Sequence, residues 1–392
     1  MAGFSPLDER LGLLPNRPFS PRLAEAIVRV GTLLGVRVDE ATVRRLTYAA
    51  GHAALALPVP HAAPQPPACL QLSLDATTVR VVGGDWVEVK LAAFGAVVPG
   101  AADDQGQPTA RTAQVSYGAR WEPAAAFGPT ITPEALHRGI DRALAVVSPN
   151  DGARWIQEAL DLVAPQAVRI RDFPHAAEHL GLLAGLVHGA DTPAAATWVA
   201  AQRAALLTQG ATPLLDALAA CQAQGPCAGA RAPPGGQAPT DQLAREVAYC
   251  TSRAAQLAYP TFRQRGYPLG SGCVESGHRV VTAARLKLAG QQWATPHLNP
   301  LLALRCTLCN NRWDATWPTL WTRWRRQHRT ARHARRAAAG VTTVPPAPPP
   351  LPSARVPAAP PAPPAPRTKL VVNGRPTRDH PWHRPFLPHP RP

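Results

Sequence analysis

The sequence predicts an α/β fold whose sheet has antiparallel and parallel parts. Three observations predict it. Between Leu70 and Arg120 the hydrophobic pattern has a period of two, in three consecutive runs. Between Thr132 and Arg171 helical patterns alternate with short apolar runs, Leu144–Val147 and Ala167–Arg171. From Pro174 the chain is helical and rich in Ala and Leu. Three strands followed by helix, strand, helix, strand and helix make a meander that continues into parallel crossovers.

Residues 1–60 read as a small helical module. Ser20-Pro21 opens a helix through about Leu34, and Val38–Leu46 opens a second, with Asp39 as its cap and Arg44 and Arg45 on it. Such a pair resembles a helix-turn-helix, in which the two arginines would reach DNA, and it equally fits an ordinary helical pair. A proline-rich linker covers 57–67. The first part of the sheet domain covers 68–180. Leu70, Leu72 and Leu74 alternate with Gln71 and Ser73 in a strand that runs into Asp75. Val79–Val82 continues it to Gly83-Gly84, Trp86–Phe94 alternates again, and Thr112–Arg120 makes the third strand. Thr132-Pro133-Glu134 has the cap, N1 proline and acid that start a helix. The run Leu144–Val147 ends at Ser148-Pro-Asn-Asp-Gly152, and Ala153–Val163 is the next helix.

A helical insertion over 181–265 follows, interrupted by a Gly/Pro-rich linker at 225–239. Residues 266–312 return with Tyr267-Pro-Leu-Gly-Ser-Gly-Cys-Val-Glu-Ser276. Gly270-Ser271-Gly272 is a tight turn with Ser271 as N-cap, which puts Glu275 in the first turn of a helix over 273–289. Residues 313–339 hold a basic helix, Trp317–Arg336, and 340–392 a Pro-rich tail expected to lack fixed structure.

The 392 residues, 45% of them hydrophobic, suffice for a substantial core, and no apolar run is long enough for a membrane span. Met1–Arg10 carries acids early and no apolar stretch, unlike a secretory signal. Seven cysteines are an odd number, which disfavours a disulfide framework and fits a reducing cytoplasm. The net charge of +16 calls for a polyanionic partner, nucleic acid first. A DNA partner would make the protein nucleoid-associated.

Three acids stand where sheet-borne chemistry collects. Asp75 closes an alternating strand, Asp151 follows a buried strand, and Glu275 opens a later helix. Oxygen donors of this kind suit Mg²⁺, with Mn²⁺ able to substitute, and two such ions serve phosphodiester chemistry. A rival set lies in Asp172-Phe-Pro-His-Ala-Ala-Glu-His179. His175 and His179 one turn apart, with Glu178 between, spell the inverted zinc-hydrolase signature, and Glu246 would be a third ligand. Cys306 and Cys309 have metal spacing but sit in an apolar helical run and read as buried thiols. Trp293 and Trp313 read as core residues.

Taken in order, these segments resemble transposases of the ISKra4 type, within the bacterial insertion-sequence and Mutator-like DDE enzymes. Phe4–Gly12 is similar to the family's opening segment and Val38–Gly51 to its small helical module. Leu74-Asp75 with Trp86–Lys90 resembles the first catalytic strand and its partner, and Asp151–Ile156 the second acid with its helix. Asp172–Leu180 matches an Asp-x-x-His signature. Tyr267–Glu275, with Arg285-Leu-Lys287 and Trp293, matches the region of the third acid, and Asp379–Trp382 resembles the C-terminal end. The run Ser148–Asp151 is longer than usual, and the N-terminal module is shortened between its helices.

The resemblance implies a ribonuclease H-like core with a helical insertion before the third acid. It implies a Mg²⁺-dependent triad of Asp75, Asp151 and Glu275 that cleaves transposon ends and transfers the freed 3′-hydroxyl to target DNA, as a homo-oligomer on DNA. Asp172 competes with Asp151 for second acid; otherwise Asp172 and His175 shape the site or touch DNA. Arg279, Arg285 and Lys287 are expected along DNA phosphates, and Arg323, Arg325, Arg326 and Arg329 in a nonspecific grip. A catalytically inactive DNA-binding remnant is the alternative, and a zinc hydrolase the lesser one.

Overall fold

A five-stranded mixed sheet, in the order β3-β2-β1-β4-β5, holds the described part of the molecule together. A computed structural model describes residues 40–59, 65–103, 106–230, 238–340, 371–372 and 375–376. The expected opening segment Phe4–Gly12, the helix over Ser20–Leu34, the low-complexity run from 341 and Asp379–Trp382 lie outside them. The chain divides into two compact units, Met1–His333 and Ala334–Pro392. In the second, two short strands, Val371–Val372 and Arg375–Pro376, pair antiparallel.

Among the described residues the first helix is α1 (Glu40–Leu55), where the second helix of the N-terminal module is expected. The strands β1 (Cys69–Arg80), β2 (Trp86–Pro99) and β3 (Ala110–Arg120) form the antiparallel meander. Asp75 does not end its strand as the alternation suggested; β1 runs on five residues, and Asp75 pairs across to Leu91 of β2.

Next comes α2 (Ala124–His137), which begins well before the expected Thr132-Pro133-Glu134 start and contains Pro129 and Pro133. Each interior proline costs about 3 kcal/mol. Phe127, Ile131 and Ala135, one turn apart and buried under the sheet, offset that cost. The pairs β4 (Ala145–Asn150) with α3 (Arg154–Val163) and β5 (Val168–Arg171) with α4 (Phe173–His188) supply the parallel half.

Helices α5 (Pro193–Thr208), α6 (Ala211–Gln224), α7 (Pro239–Thr251) and α8 (Tyr259–Gln264) form the predicted helical insertion. The predicted 273–289 helix is not one regular helix. It is α9 (Gly272–Gly277), a π-helical turn (His278–Ala283) and a last short turn, α10 (Ala284–Leu286). Helix α11 (Leu298–Cys309) then leads to α12 (Trp313–Gly340).

The sheet is covered on both faces, as strand periodicity dictates. Leu70, Leu72 and Leu74 of β1 pack with Phe94 against α2 and α3. On the opposite face Val79, Val89 and Leu91 meet Val274, Val281 and the apolar side of α11. A third cluster joins Val147 and Ile170 to the helical insertion through Leu183, Leu206, Leu218 and Tyr259. No helix among the described residues is long and apolar enough to cross a membrane.

Candidate active site

The site begins with how β1 and β4 hold each other. Their backbone ladder covers only Cys69–Gln71 against Ala145–Val147. Pro149, which has no N–H, then makes a regular ladder impossible. Side chains take over. Ser148 Oγ donates to the Leu72 carbonyl, Ser73 Oγ to the Pro149 carbonyl, and Asn150 Oδ1 accepts the Leu74 N–H. Each of these bonds spans 76 residues, the offset of the ladder itself. Continued one step, that offset would bring Asp75 level with Asp151, which lies just past the end of β4.

Asp75 shares its sheet face with Gln71 and Ser73, and the same face receives the Gly270–Gly277 segment. Gln71 Nε2 donates to the Gly270 carbonyl at 3.3 Å and to Cys273 Sγ at 3.2 Å. At Gly277 the segment lies close on the sheet: a Cβ there would stand 2.7 Å from Tyr117 Cε1 and 2.9 Å from Leu91 Cδ2, Leu91 being the residue paired with Asp75. Burial pushes the Cys273 thiol up to about 11, so it is a neutral packing group.

A buried carboxylate fixes this segment. Asp172, 2% exposed, is the N-cap of α4: Oδ1 accepts the His175 N–H at 2.8 Å, and Oδ2 accepts the Ser271 N–H at 2.6 Å. The Phe173 N–H donates to the Leu269 carbonyl alongside. Both oxygens of Asp172 are thus spent on backbone donors. Asp151 differs: it is partly exposed, and one oxygen, Oδ1, closes a turn onto the Ala153 N–H at 2.8 Å. Between the two candidates for second acid, this geometry favours Asp151.

Ser271 stands at the N-cap of α9, but its side chain does not cap the helix. It donates to Glu275 Oε1 at 3.3 Å, while its carbonyl takes the Val274 N–H. Glu275 itself is exposed. One turn on, where the π-helical stretch begins, His278 brings Nε2 to 3.3 Å from Asp75 Oδ2 and holds Thr282 Oγ1 through Nδ1. Sequence reasoning missed His278; its place three residues after Glu275 was the available signal.

The rival histidine set is assembled differently from a zinc site. Glu246 Oε2 lies 2.5 Å from His179 Nδ1, so it braces that ring and does not stand beside it as a further donor. His179 Nε2 faces His175 Nε2 at 3.4 Å, and the His179 ring stacks on Tyr249. The Tyr249 hydroxyl donates to the Asp151 carbonyl, and the buried Arg171 guanidinium lies 3.8 Å from its ring centre. Burial pushes that hydroxyl up to about 12, against the pull of Arg171. The cluster buttresses the Asp151 turn from below. Neither Arg171 nor Tyr249 was singled out in the sequence, since their stacking joins β5 to α7.

Among the described residues, no three His, Cys, Asp or Glu side chains are gathered closely enough to hold a metal ion. The donor chemistry of Asp75 on β1 and Asp151 just beyond β4, both partly exposed, fits a hard cation such as Mg²⁺. Glu275, on α9, has its Oε1 held by Ser271 Oγ and is not gathered with them.

The expected DNA contacts separate into two kinds. Arg44, Arg45, Arg279 and Lys287 are exposed, Lys287 also donating to Thr77 Oγ1 two residues beyond Asp75. Arg325, Arg326 and Arg329 are exposed, whereas Arg323 is partly covered and donates to the Ala56 carbonyl. Arg285 is half-buried, with its guanidinium over the Trp293 ring and desolvation lowering its pKa. That position ties α10 to the Trp293 loop. Trp293 is a structural residue, bonded through its backbone to Arg80 and Val82. Cys306 is buried, its thiol pushed up to about 12, as the buried-thiol reading requires.

No protein-family model matches this chain, and comparison with curated proteins finds no match.

Proposed function

We propose that the chain is a DNA transposase with a ribonuclease H-like core, cleaving phosphodiester bonds at element ends and joining the freed 3′-hydroxyl to target DNA. One observation carries the reading: the side-chain bonds that tie β4 to β1 run up to Leu74 and Asn150, the residues just before Asp75 and Asp151, and Asp172 latches the segment bearing Glu275 over the sheet face on which Asp75 lies. Converging carboxylates with free oxygens are what a site for two divalent ions uses. The sheet order and the helical insertion before Glu275 support the same reading.

In this reading Asp75, Asp151 and Glu275 hold Mg²⁺, or Mn²⁺ in its place. Bound there, the ions supply Lewis-acid activation of the attacking oxygen and stabilisation of the leaving one. Asp172 keeps the Glu275 turn in place. His278 orients Asp75, and Tyr249 with Arg171 supports the Asp151 turn. Exposed Arg279 and Lys287 flank the acids and contact phosphates, a contact that positions DNA without reading its sequence. Action on DNA assigns the protein to the cytoplasm, at the nucleoid, as an oligomer assembled on the element's ends.

The test is cleavage of DNA carrying the element's terminal repeats, in Mg²⁺ and in Mn²⁺. Glu275→Gln is expected to abolish cutting and to spare binding; normal cutting by that variant removes the triad. A second reading, a DNA-binding remnant without catalysis, is favoured by the exposed position of Glu275, held by Ser271 apart from the two aspartates. Binding of terminal repeats with no cutting in either metal would establish it.

A further inference from the structure

Helix α12 carries an unusual row of rings. Trp313, Trp317, Trp321 and Trp324 follow one another at helical spacing, and His328 extends the row. Successive centroids lie 5.1, 6.2, 4.9 and 4.5 Å apart, and the three tryptophan pairs are stacked. A core role accounts for the start of the row only. Trp313 and Leu320 are buried, but Trp321 is 43% exposed. What sets Trp321 apart from a lone exposed residue is its place in a contiguous row with the partly exposed Trp317 and Trp324.

The charge around these rings identifies the partner. No acid occurs after Asp314 through to the end of α12. Arg325, Arg326 and Arg329 are exposed beside the row, and the Arg325 guanidinium lies 5.8 Å from the Trp321 ring centre. An apolar peptide would satisfy the rings and leave the arginines without counter-charge. A second copy docking the same face would set arginine against arginine. Duplex DNA would satisfy the arginines, but its bases are already stacked on one another and offer the rings nothing. Unpaired bases on a phosphate backbone use both, with uncovered faces to lay against the exposed side of the ring row and anions for the guanidinium groups.

We infer that the tryptophan row of α12 is a stacking platform for unpaired bases of single-stranded DNA, with Trp321 as its exposed step. This rests on the DNA-binding half of the proposed function and on none of its catalysis.

The test uses the full chain in EDTA, so cleavage plays no part. Short oligo(dT) is titrated while tryptophan fluorescence and, separately, anisotropy of a labelled oligonucleotide are followed. Wild type is expected to bind oligo(dT) with fluorescence quenching and to prefer it over a duplex of equal length. Trp321→Ala is expected to weaken oligo(dT) binding roughly 5- to 150-fold, the loss of one base stack, with an unchanged salt slope. Arg325→Ala with Arg326→Ala is expected to flatten the salt slope instead. Should Trp321→Ala fold poorly by circular dichroism, Trp321→Phe keeps a ring and is expected to retain most of the affinity. Equal affinity for duplex, tighter binding of oligo(U), an unaffected Trp321→Ala, or a Trp321→Ala effect on sedimentation alone would each overturn the inference. Loss of cutting in Glu275→Gln with oligo(dT) binding intact leaves it standing, and indifference to oligo(dT) leaves the cleavage reading standing.

Discussion

Asp172 Oδ2 accepts the backbone N–H of Ser271 at 2.6 Å, across 99 positions of sequence. The bond joins the end of β5 to the turn that carries Glu275. Since Asp172 is buried and also caps α4, removing it should act through structure. Asp172→Ala forfeits the cap, about 0.5–2 kcal/mol, and leaves a buried N–H unsatisfied, about 1–3 kcal/mol. The expected result is a clearly lowered Tm together with lost cutting. Asp151→Asn, at a partly exposed turn, is expected to lose cutting with Tm nearly unchanged. Thermal melts beside cleavage assays decide it; an unshifted Tm in Asp172→Ala would return Asp172 to candidacy as the second acid.

Gly277 tests the close approach of α9 to the sheet. A methyl group there meets the Tyr117 ring at 2.7 Å and Leu91 at 2.9 Å, and the ring has little room to yield. Gly277→Ala is expected to destabilise by about 1–3 kcal/mol, as overpacking does. Gly272→Ala, with nothing within 4 Å of the added carbon, is the control and should stay within about 0.5 kcal/mol. Urea unfolding of the two variants measures the difference.

Much of this arrangement was legible in the sequence, for local reasons. Period-two alternation marked β1 to β3 and put Asp75 on the face opposite Leu72 and Leu74. Short apolar runs marked β4 and β5, and the Gly-Ser-Gly turn marked the start of α9. What stayed hidden depends on partners far along the chain. Pro149 suggested that β4 ended at Val147, because the side chains of Ser73, Ser148 and Asn150 carry the strand contact past it. Thr132-Pro133-Glu134 suggested a later start of α2, because burial of Phe127 and Ile131 outweighs the cost of its interior prolines. The π-helical stretch lies just past the close approach at Gly277, and His278 meets Asp75 only across the fold. Asp172 read as a possible catalyst, since nothing local reveals a bond to Ser271.

Glu134 and Arg312 form a two-pronged ion pair at 2.6 and 2.7 Å, with Glu134 5% exposed. It fastens α2 to the residue just before α12. Breaking one side leaves a buried charge alone, at a cost of about 3–5 kcal/mol. Arg312→Met is therefore expected to be strongly destabilising. Glu134→Leu with Arg312→Met should recover most of the loss. A double-mutant cycle by chemical denaturation reads the coupling, and additive single effects would show that the pair is not an energetic unit.

The contact of His278 Nε2 with Asp75 Oδ2 predicts a metal-dependent phenotype. Groups set against a ligating carboxylate from outside commonly change metal affinity 10- to 100-fold when removed. His278→Ala is expected to raise the Mg²⁺ concentration for half-maximal cutting by roughly that factor, with a smaller effect on the rate at saturating metal. An unchanged Mg²⁺ dependence with a reduced maximal rate would place His278 on the DNA side of the site.

Buried thiols predict the response to alkali. Cys69, Cys250 and Cys273 are pushed from 9.0 to about 11, and Cys306 to about 12, all by desolvation. For each, the folded state holds its proton more tightly than the unfolded chain does. Their stabilising contribution is whole below pH 9 and is lost as pH rises through the folded values, because the unfolded chain releases protons first. Tm is expected to hold level up to about pH 9 and to fall steeply between about 9 and 11. Native protein at pH 8 should resist iodoacetamide at Cys273 and Cys306, since the thiolate is the reactive form, and unfolding should expose both. Peptide mapping after alkylation checks this: rapid labelling of Cys306 in the native state would mean that the interface between α11 and the sheet opens under native conditions.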